Sequence, residues 1–261
     1  MAPPASASWD NGDYEAFCAL AAADPRVFEV FRRSPTYKLV LEHVDMEMGA
    51  KYLLHVIQHY PKLLDSVDIF KKNDEVGSAE KVPYPGIGDM APSTLRYMKV
   101  FGDLKAIWDN LSGKHIVEIG IGYGGQANVI TSMFDVASYT LIDLPAVIAL
   151  AKRYLSHFGK IEKFRFYSFC DLPQIIKSDL FISNYALTEI DIPYQDYYYE
   201  RVLKHAKDGY VTYNDYTPTS HSLDEWLKRI PNAVATEEEP HSRVGNCIIV
   251  WKKDRVLRKQ A

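Results

Sequence analysis

The sequence is short of several things, and each shortage narrows its class. Its three cysteines, Cys18, Cys170 and Cys247, are odd in number and far apart. That suits free thiols in a reducing compartment and not a disulfide framework. Positive charge is not in excess: 30 Lys and Arg stand against 34 Asp and Glu, a formal net charge of −4. A dedicated nucleic-acid binder usually carries a clear basic surplus, so nucleic acid is not an expected partner. No apolar run approaches the ~20 residues of a membrane helix, so no membrane association is expected. The opening MAPPASAS lacks the basic and apolar regions of a secretory signal, and a cytoplasmic protein is expected. Internal repeats and low-complexity tracts are also lacking. What remains is 261 residues of ordinary globular composition, 47% hydrophobic and 25% charged, enough to bury a large core.

Residues 1–12 read as a tail without periodicity, and Asp13 to about Tyr60 reads as helical. Ser34 before Pro35 is a helix-start signal, a hydroxyl cap followed by proline at the first helical position. Tyr37, Val40, Leu41 and Val44, and then Leu53, Val56, Ile57 and Tyr60, recur at three- and four-residue spacing. Pro61 ends that run. Residues 71–92 hold three prolines and three glycines in 22 positions and read as a loop, with a role as a substrate lid. A helix capped by Ser93 follows, running to about Leu111. From Lys114 strands and helices alternate: HIVEIG, ASYTLID, KFRFYSF, SDLFISN and DGYVTYND are the strand runs. Such alternation implies a parallel sheet with helices on both faces. NAVATEEE and GNCIIVWKK, separated by the short PHSRV, close the chain as an antiparallel hairpin. The expected organisation is a helical cap over 13–111 and an α/β domain over 112–254.

The segment Val117-Glu118-Ile119-Gly120-Ile121-Gly122-Tyr123-Gly124-Gly125 carries the most chemistry. Glycines directly after a buried strand let the backbone turn tightly and approach a ligand closely. Asp143 closes the next strand, 23 residues beyond Gly120, where a carboxylate can accept the hydroxyls of a ribose. An adenosine-containing ligand across these two strand ends is the inference. Gly120, Gly122 and Gly125 also fit the dinucleotide pattern G-x-G-x-x-G, which leaves NAD as a rival. Glu118 argues against it: a carboxylate facing the turn repels a pyrophosphate and welcomes an ammonium group. The single α/β unit and the terminal hairpin point the same way, towards S-adenosylmethionine. The plainer alternative stays open, in which the glycines only tighten a turn and Asp143 caps the helix at Leu144-Pro145.

The E-x-G-x-G-x-G turn, the acidic end of the second strand and the terminal hairpin resemble the class I S-adenosylmethionine-dependent methyltransferases. More narrowly, the chain is similar to the sugar O-methyltransferases. The segments that carry this are KNDEVG at 72–77, STLRYMKVFGDL at 93–104, VEIGIGYGGQA at 117–127, SNYALTEI at 183–190 and NCIIVW at 246–251. The resemblance spans about residues 45–251. It implies a Rossmann-like doubly wound α/β sheet of seven strands, its last strand antiparallel, with an N-terminal helical cap. It also implies Glu118 on the methionine ammonium, Asp143 on the ribose and Asp171 on the adenine amino group. Gly120, Gly122, Tyr123, Gly124, Leu144, Asn184 and Tyr185 complete the expected cofactor site. Arg96 is a candidate partner for the methionine carboxylate, or else a surface helix arginine. Ser78-Ala79 departs from the family pattern, where a proline is expected.

A sugar hydroxyl is a weak nucleophile near neutral pH, so a base or a metal must help remove its proton. Open α/β sheets place chemistry at the carboxyl ends of strands, here SNY at 183–185 and Asn214-Asp215. Glu189 is the first candidate base, Asp215 the second and His241 the third. Asn184, Asn214 and Asp215 together offer oxygen ligands to Mg²⁺, but one certain carboxylate is thin for a hard cation, and no metal is expected. Asn184-Tyr185-Ala186 also departs from the Asn/Asp-Pro-Pro-aromatic turn of enzymes that methylate exocyclic amines. Tyr197, Tyr198 and Tyr199 read as core and not as sugar-stacking faces. His55 and His59, at i and i+4, can bind zinc; with no third ligand in sight they read as helix-surface residues. The expected activity is methyl transfer to a hydroxyl of a nucleotide-sugar or glycan. Two alternatives are a non-catalytic cofactor-binding scaffold and an O-methyltransferase with a non-sugar small-molecule acceptor. The oligomeric state is not legible.

Overall fold

The computed structural model describes residues 12–159 and 161–253, so the expected tail lies outside the described residues except for Gly12. The N-terminal stretch forms α1 (Asp13–Ala23), α2 (Pro25–Val30), α3 (Pro35–Val40) and α4 (Met46–His59). Local chemistry explains their starts. Asp24 accepts the Arg26 N–H at 2.8 Å ahead of Pro25 in the first helical position, and Asp45 accepts the Met48 N–H at 2.8 Å. Ser34 does stand at the cap of α3, although its side chain makes no capping bond.

The 71–92 segment corrects the expectation of an open loop. After α5 (Val67–Lys71) comes a 3₁₀ turn over Lys72–Asp74, then a small antiparallel hairpin of β1 (Val82–Tyr84) and β2 (Gly88–Met90). Asn73 and Asp74 are buried and anchor it. Asp74 accepts the Ala91 N–H at 2.8 Å and the Thr94 hydroxyl at 2.6 Å, while Asn73 donates to the Tyr123 hydroxyl at 3.2 Å. Side chains that read as turn formers are instead tied into the interior. The next helix, α6 (Pro92–Trp108), begins one residue before Ser93 and has Ala91 at its cap. The Ser93 hydroxyl is used elsewhere, donating to Glu42 at 2.7 Å.

The alternating region forms β3 (His115–Ile119), α7 (Gly125–Met133), β4 (Ser138–Asp143), α8 (Pro145–Ser156) and β5 (Phe164–Ser168). It continues with β6 (Ser178–Asn184), α9 (Ile192–Arg201), β7 (Ala206–Tyr213), α10 (Leu223–Arg229), β8 (Val234–Glu237) and β9 (Cys247–Lys252). The seven-stranded sheet has the order β5-β4-β3-β6-β7-β9-β8. Its first five strands run parallel, and β9 is antiparallel to both β7 and β8. This is the Rossmann-like doubly wound α/β fold with a closing antiparallel hairpin. Successive strand residues feed opposite faces, as Ile116 and Val117 do. On one face Ile116, Leu141 and Leu180 share a core with Phe31, Tyr37, Tyr52 and Phe101 of the N-terminal helices and α6. On the other, Val117, Ile142 and Phe181 pack with Tyr198 and Trp226 of α9 and α10. α1 lies against α8, where Arg153 donates to the Ala21 and Ala22 carbonyls at 3.4 and 2.8 Å.

The chain winds outward from β3 to β5 and then returns to place β6 on the other side of β3. Strand order reverses there, which opens a crevice at the carboxyl ends of β3 and β6 where such sheets bind ligands.

Candidate active site

A cavity of about 520 Å³ fills that crevice, within the range of small-molecule sites. A larger hollow of about 650 Å³ lies at the opposite, amino ends of β3 and β6, lined by His115, Lys177 and Lys207. The crevice has the convergent polar groups, and it is the candidate site.

Its floor is the turn after β3. Gly120 has φ +77°, and a Cβ there would stand 1.9 Å from the Ala186 Cβ. Gly122 has φ +53°, and Leu41 closes to 2.4 Å of the position its Cβ would take. Both conformations and both approaches require glycine. Glu118 lies below the turn, 2% exposed, and accepts the Tyr139 hydroxyl at 2.7 Å. Burial pushes its carboxyl up to about 8 against that hydrogen bond. Asp143, at the end of β4, is raised to about 6 by burial, opposed by backbone donors. Its Oδ2 accepts the N–H groups of Ile121 and Gly122 at 2.8 and 3.2 Å, and its Oδ1 accepts that of Leu144 at 2.8 Å. A carboxylate offers about four acceptor sites, so Oδ1 retains capacity for a hydroxyl. Asp143 thus laces the glycine turn to β4; it does not cap α8, whose cap position is Leu144.

Two further groups face this end of the cavity. Arg96 on α6 is 8% exposed, which corrects the alternative of a surface arginine. Its guanidinium donates to the Leu41 carbonyl at 3.5 Å and lies over the rings of Tyr97 and Tyr185 at 5.6 and 6.0 Å. Gln126, the residue after Gly125, donates to the Tyr97 carbonyl at 3.4 Å, while its buried Oε1 has no hydrogen-bond partner among the described residues. A buried amide oxygen left unpaired is costly unless a ligand satisfies it. Sequence reasoning missed Gln126 because an amide beside a glycine turn has no signature of its own.

The other end of the cavity is made by the ends of β6 and β7 and by the segment joining β8 to β9. Asn184, Tyr185, Glu189 and Asn214 all line it. Asn184 accepts the Thr212 hydroxyl at 3.1 Å, and Asn214 donates to Glu189 Oε1 at 2.7 Å, fixing that carboxylate. Burial raises the Glu189 carboxyl, and the Asn214 bond and the Arg96 charge oppose the rise. Tyr185 holds φ +67° and donates through its hydroxyl to Glu238. His241 stands at the rim, about half exposed, with Nε2 3.7 Å from Glu237.

Several expected site residues lie elsewhere. Tyr123 is fully buried among Phe31, Tyr37 and Tyr154, its ring turned into the helical core. Gly124 caps α7 where a Cβ would stand 3.0 Å from Leu155, and the Leu144 side chain joins the core. Asp171 is exposed and accepts from the Ser168 backbone and hydroxyl, closing the turn after β5. Asp215 is exposed beside Gly245 and does not line the cavity, so the oxygen set of Asn184, Asn214 and Asp215 loses its only full charge there. No residue of 70–92 lines the cavity, which corrects the lid expectation. Tyr197 and Tyr199 donate to the carbonyls of Phe169 and Arg229, and Tyr198 is core.

No protein-family model matches the chain, and no curated protein matches it by sequence. Among solved structures, M. capricolum TrmK in complex with S-adenosyl-homocysteine matches over 59% of this chain and 67% of that chain, at 13% identity and a TM-score of 0.41. A SAM dependent methyltransferase from Aquifex aeolicus matches over 57% and 85%, at 14% identity and a TM-score of 0.41. At such distances, what the cavity binds has to be read from its own residues.

Proposed function

We propose that the cavity binds S-adenosylmethionine at its glycine-turn end and directs methyl transfer to a hydroxyl, that of a sugar or glycan, held at its Glu189 end. The observation that carries this is one continuous cavity ringed by complementary groups. Glu118 and the unpaired Gln126 Oε1 suit an ammonium, Arg96 suits a carboxylate, and Asp143 suits a ribose hydroxyl. Gly120 and Gly122 provide the close backbone approach. A dinucleotide would set a pyrophosphate beside Glu118 and leave Arg96 without a purpose. Bound there, S-adenosylmethionine supplies a methyl group on a sulfonium, open to in-line attack by an oxygen. Glu189, steadied by Asn214, takes the proton of that attacking hydroxyl. Asn184, Asn214, Ser242 and Tyr52 give the far wall the mixed amide, hydroxyl and aromatic character that polyhydroxyl acceptors need. The segments STLRYMKVFGDL and SNYALTEI support the sugar acceptor over other alcohols.

Calorimetric titration with S-adenosylhomocysteine and with NAD tests the first half. Micromolar binding of the former alone is expected, weakened more than tenfold in Asp143→Ala, since a lost charge-assisted bond costs about 1.5–3 kcal/mol. NAD binding, or binding of neither, overturns it. Transfer of radiolabelled methyl to free sugars, nucleotide-sugars and glycans tests the second half. Cofactor binding with no turnover on any of these would favour a scaffold or a non-sugar acceptor.

The Glu118 carboxyl gives a pH signature. At about 8, it is mostly protonated at pH 7 in the free chain. An ammonium beside it favours the carboxylate, so the bound state has the lower pKa and binding expels a proton. Affinity for S-adenosylhomocysteine should therefore rise with pH, by up to about tenfold per unit below pH 8. Calorimetry in two buffers of different ionisation enthalpy should show the released proton, and Glu118→Gln should abolish both effects. A flat profile would remove Glu118 from the ammonium site.

A further inference from the structure

His55 and His59 share one face of α4, with ring centroids 4.4 Å apart. The third ligand missing from the sequence comes from far along the chain. Glu239, in the segment between β8 and β9, brings its carboxylate to them, so that a ligand atom from each of the three lies within 4.8 Å of the others. None of the three lines the cavity. We propose that His55, His59 and Glu239 bind a zinc-class transition-metal ion that latches the β8–β9 segment to α4.

The donor set fits that class: two imidazoles and one carboxylate suit a borderline ion such as Zn²⁺, with water completing the shell, and suit Mg²⁺ or Ca²⁺ poorly. Bonds of about 2.0–2.2 Å in a tetrahedral shell set ligand atoms roughly 3.4 Å apart. His59 and Glu239 are exposed and His55 is half-buried, so side-chain rotation of about 1 Å closes the present spacing. The charges around the site oppose one another: the Lys99 ammonium repels positive charge at His55, and the Asp103 and Glu239 carboxylates attract it. The nearby Lys99 ammonium is already paired with Asp103 at 2.8 Å, and Asp103 also accepts the Tyr60 hydroxyl.

Position gives the ion its consequence. Glu238, adjacent to the proposed ligand, accepts from Tyr185, from Ser242 and from Asn246, the last at 3.3 Å. His241, Ser242, Arg243 and Asn246 of the same segment line the cavity. An ion holding Glu239 to α4 therefore holds one wall of the cavity against the N-terminal helices. This stands whatever the cavity binds.

The test uses the full chain without an affinity tag, stripped with chelator and titrated with ZnCl₂ by calorimetry. One ion per chain at micromolar or tighter Kd is expected. Loss of an outer-shell partner already costs roughly 10–100-fold in affinity, so losing a direct ligand in Glu239→Gln or His59→Ala should cost at least that. Both residues are exposed, and melting curves in chelator should match wild type. Zn²⁺ should also slow amide exchange over 238–246 in wild type and leave Glu239→Gln unchanged. Absence of binding below 100 µM, or binding that survives either substitution undiminished, overturns the proposal. So does a Zn²⁺ site that leaves exchange over 238–246 unaltered.

Discussion

Glu189→Gln is expected to lower turnover by about 10²–10⁴-fold, the usual contribution of a positioned general base, while S-adenosylhomocysteine binds as tightly as to wild type. The amide keeps the shape and can still meet Asn214, but it takes no proton. Single-turnover methyl transfer from radiolabelled cofactor, with binding checked by calorimetry, separates the two quantities. A pH profile adds a sign. A base acts only when ionised, and burial raises the Glu189 carboxyl. Activity should therefore climb with pH along a limb displaced upward from the ordinary carboxylate range, and that limb should vanish in the variant. His43, also lining the cavity, is pushed down to about 4 chiefly by burial and by Arg96, so it stays neutral and adds no limb near neutrality. Wild-type turnover in Glu189→Gln, with loss in His241→Ala, would move the base to the rim histidine.

The largest stability effect is expected at Arg32, which does not line the cavity. Its guanidinium is wholly buried and donates to Glu42 at 2.7 Å, to Asp74 at 3.3 Å, to the Asn73 carbonyl at 2.9 Å and to the Ser93 hydroxyl at 3.1 Å. It also lies 4.7 Å over the ring of Tyr123. Arg32→Met fills part of the volume but strands the Glu42 and Asp74 carboxylates in the interior. Breaking a buried pair from one side costs about 3–5 kcal/mol, which should appear as a large fall in the urea midpoint. A loss below about 1 kcal/mol would mean that the two carboxylates are relieved by protonation or water, and that the knot is not what joins the helices to the hairpin.

What was legible in the sequence follows from range. The glycine turn and the places of Glu118 and Asp143 beside it were readable because strand, turn and helix are adjacent and each residue type answers a local demand. The closing hairpin was readable for the same reason. Arg32 with Asn73 and Asp74, and His59 with Glu239, were not. Their partners lie about 40 and 180 positions apart, and no local rule links them. Asn73 and Asp74 carry turn chemistry in isolation and become interior anchors only when Arg32 and Thr94 close on them. Asp215 and Tyr123 fail in the opposite way: proximity in sequence to a strand end or a glycine turn says little about where a side chain points. Ser93 shows a third case, a residue type suited to capping that lies inside the helix and whose hydroxyl pairs with Glu42.

The contact between α1 and α8 has a consequence for synthesis. α1 ends at Ala23, yet α8, which packs on it, is complete only at Ser156, 133 residues later. At ribosomal rates of about 5–20 residues per second, roughly 7–27 s pass before that partner has been made. Over that interval α1 has α2 and α3 to rest on but not α8. Until α8 emerges, the face of α1 that it covers stays exposed on the nascent chain, and chaperones that ride on the ribosome are expected to bind there.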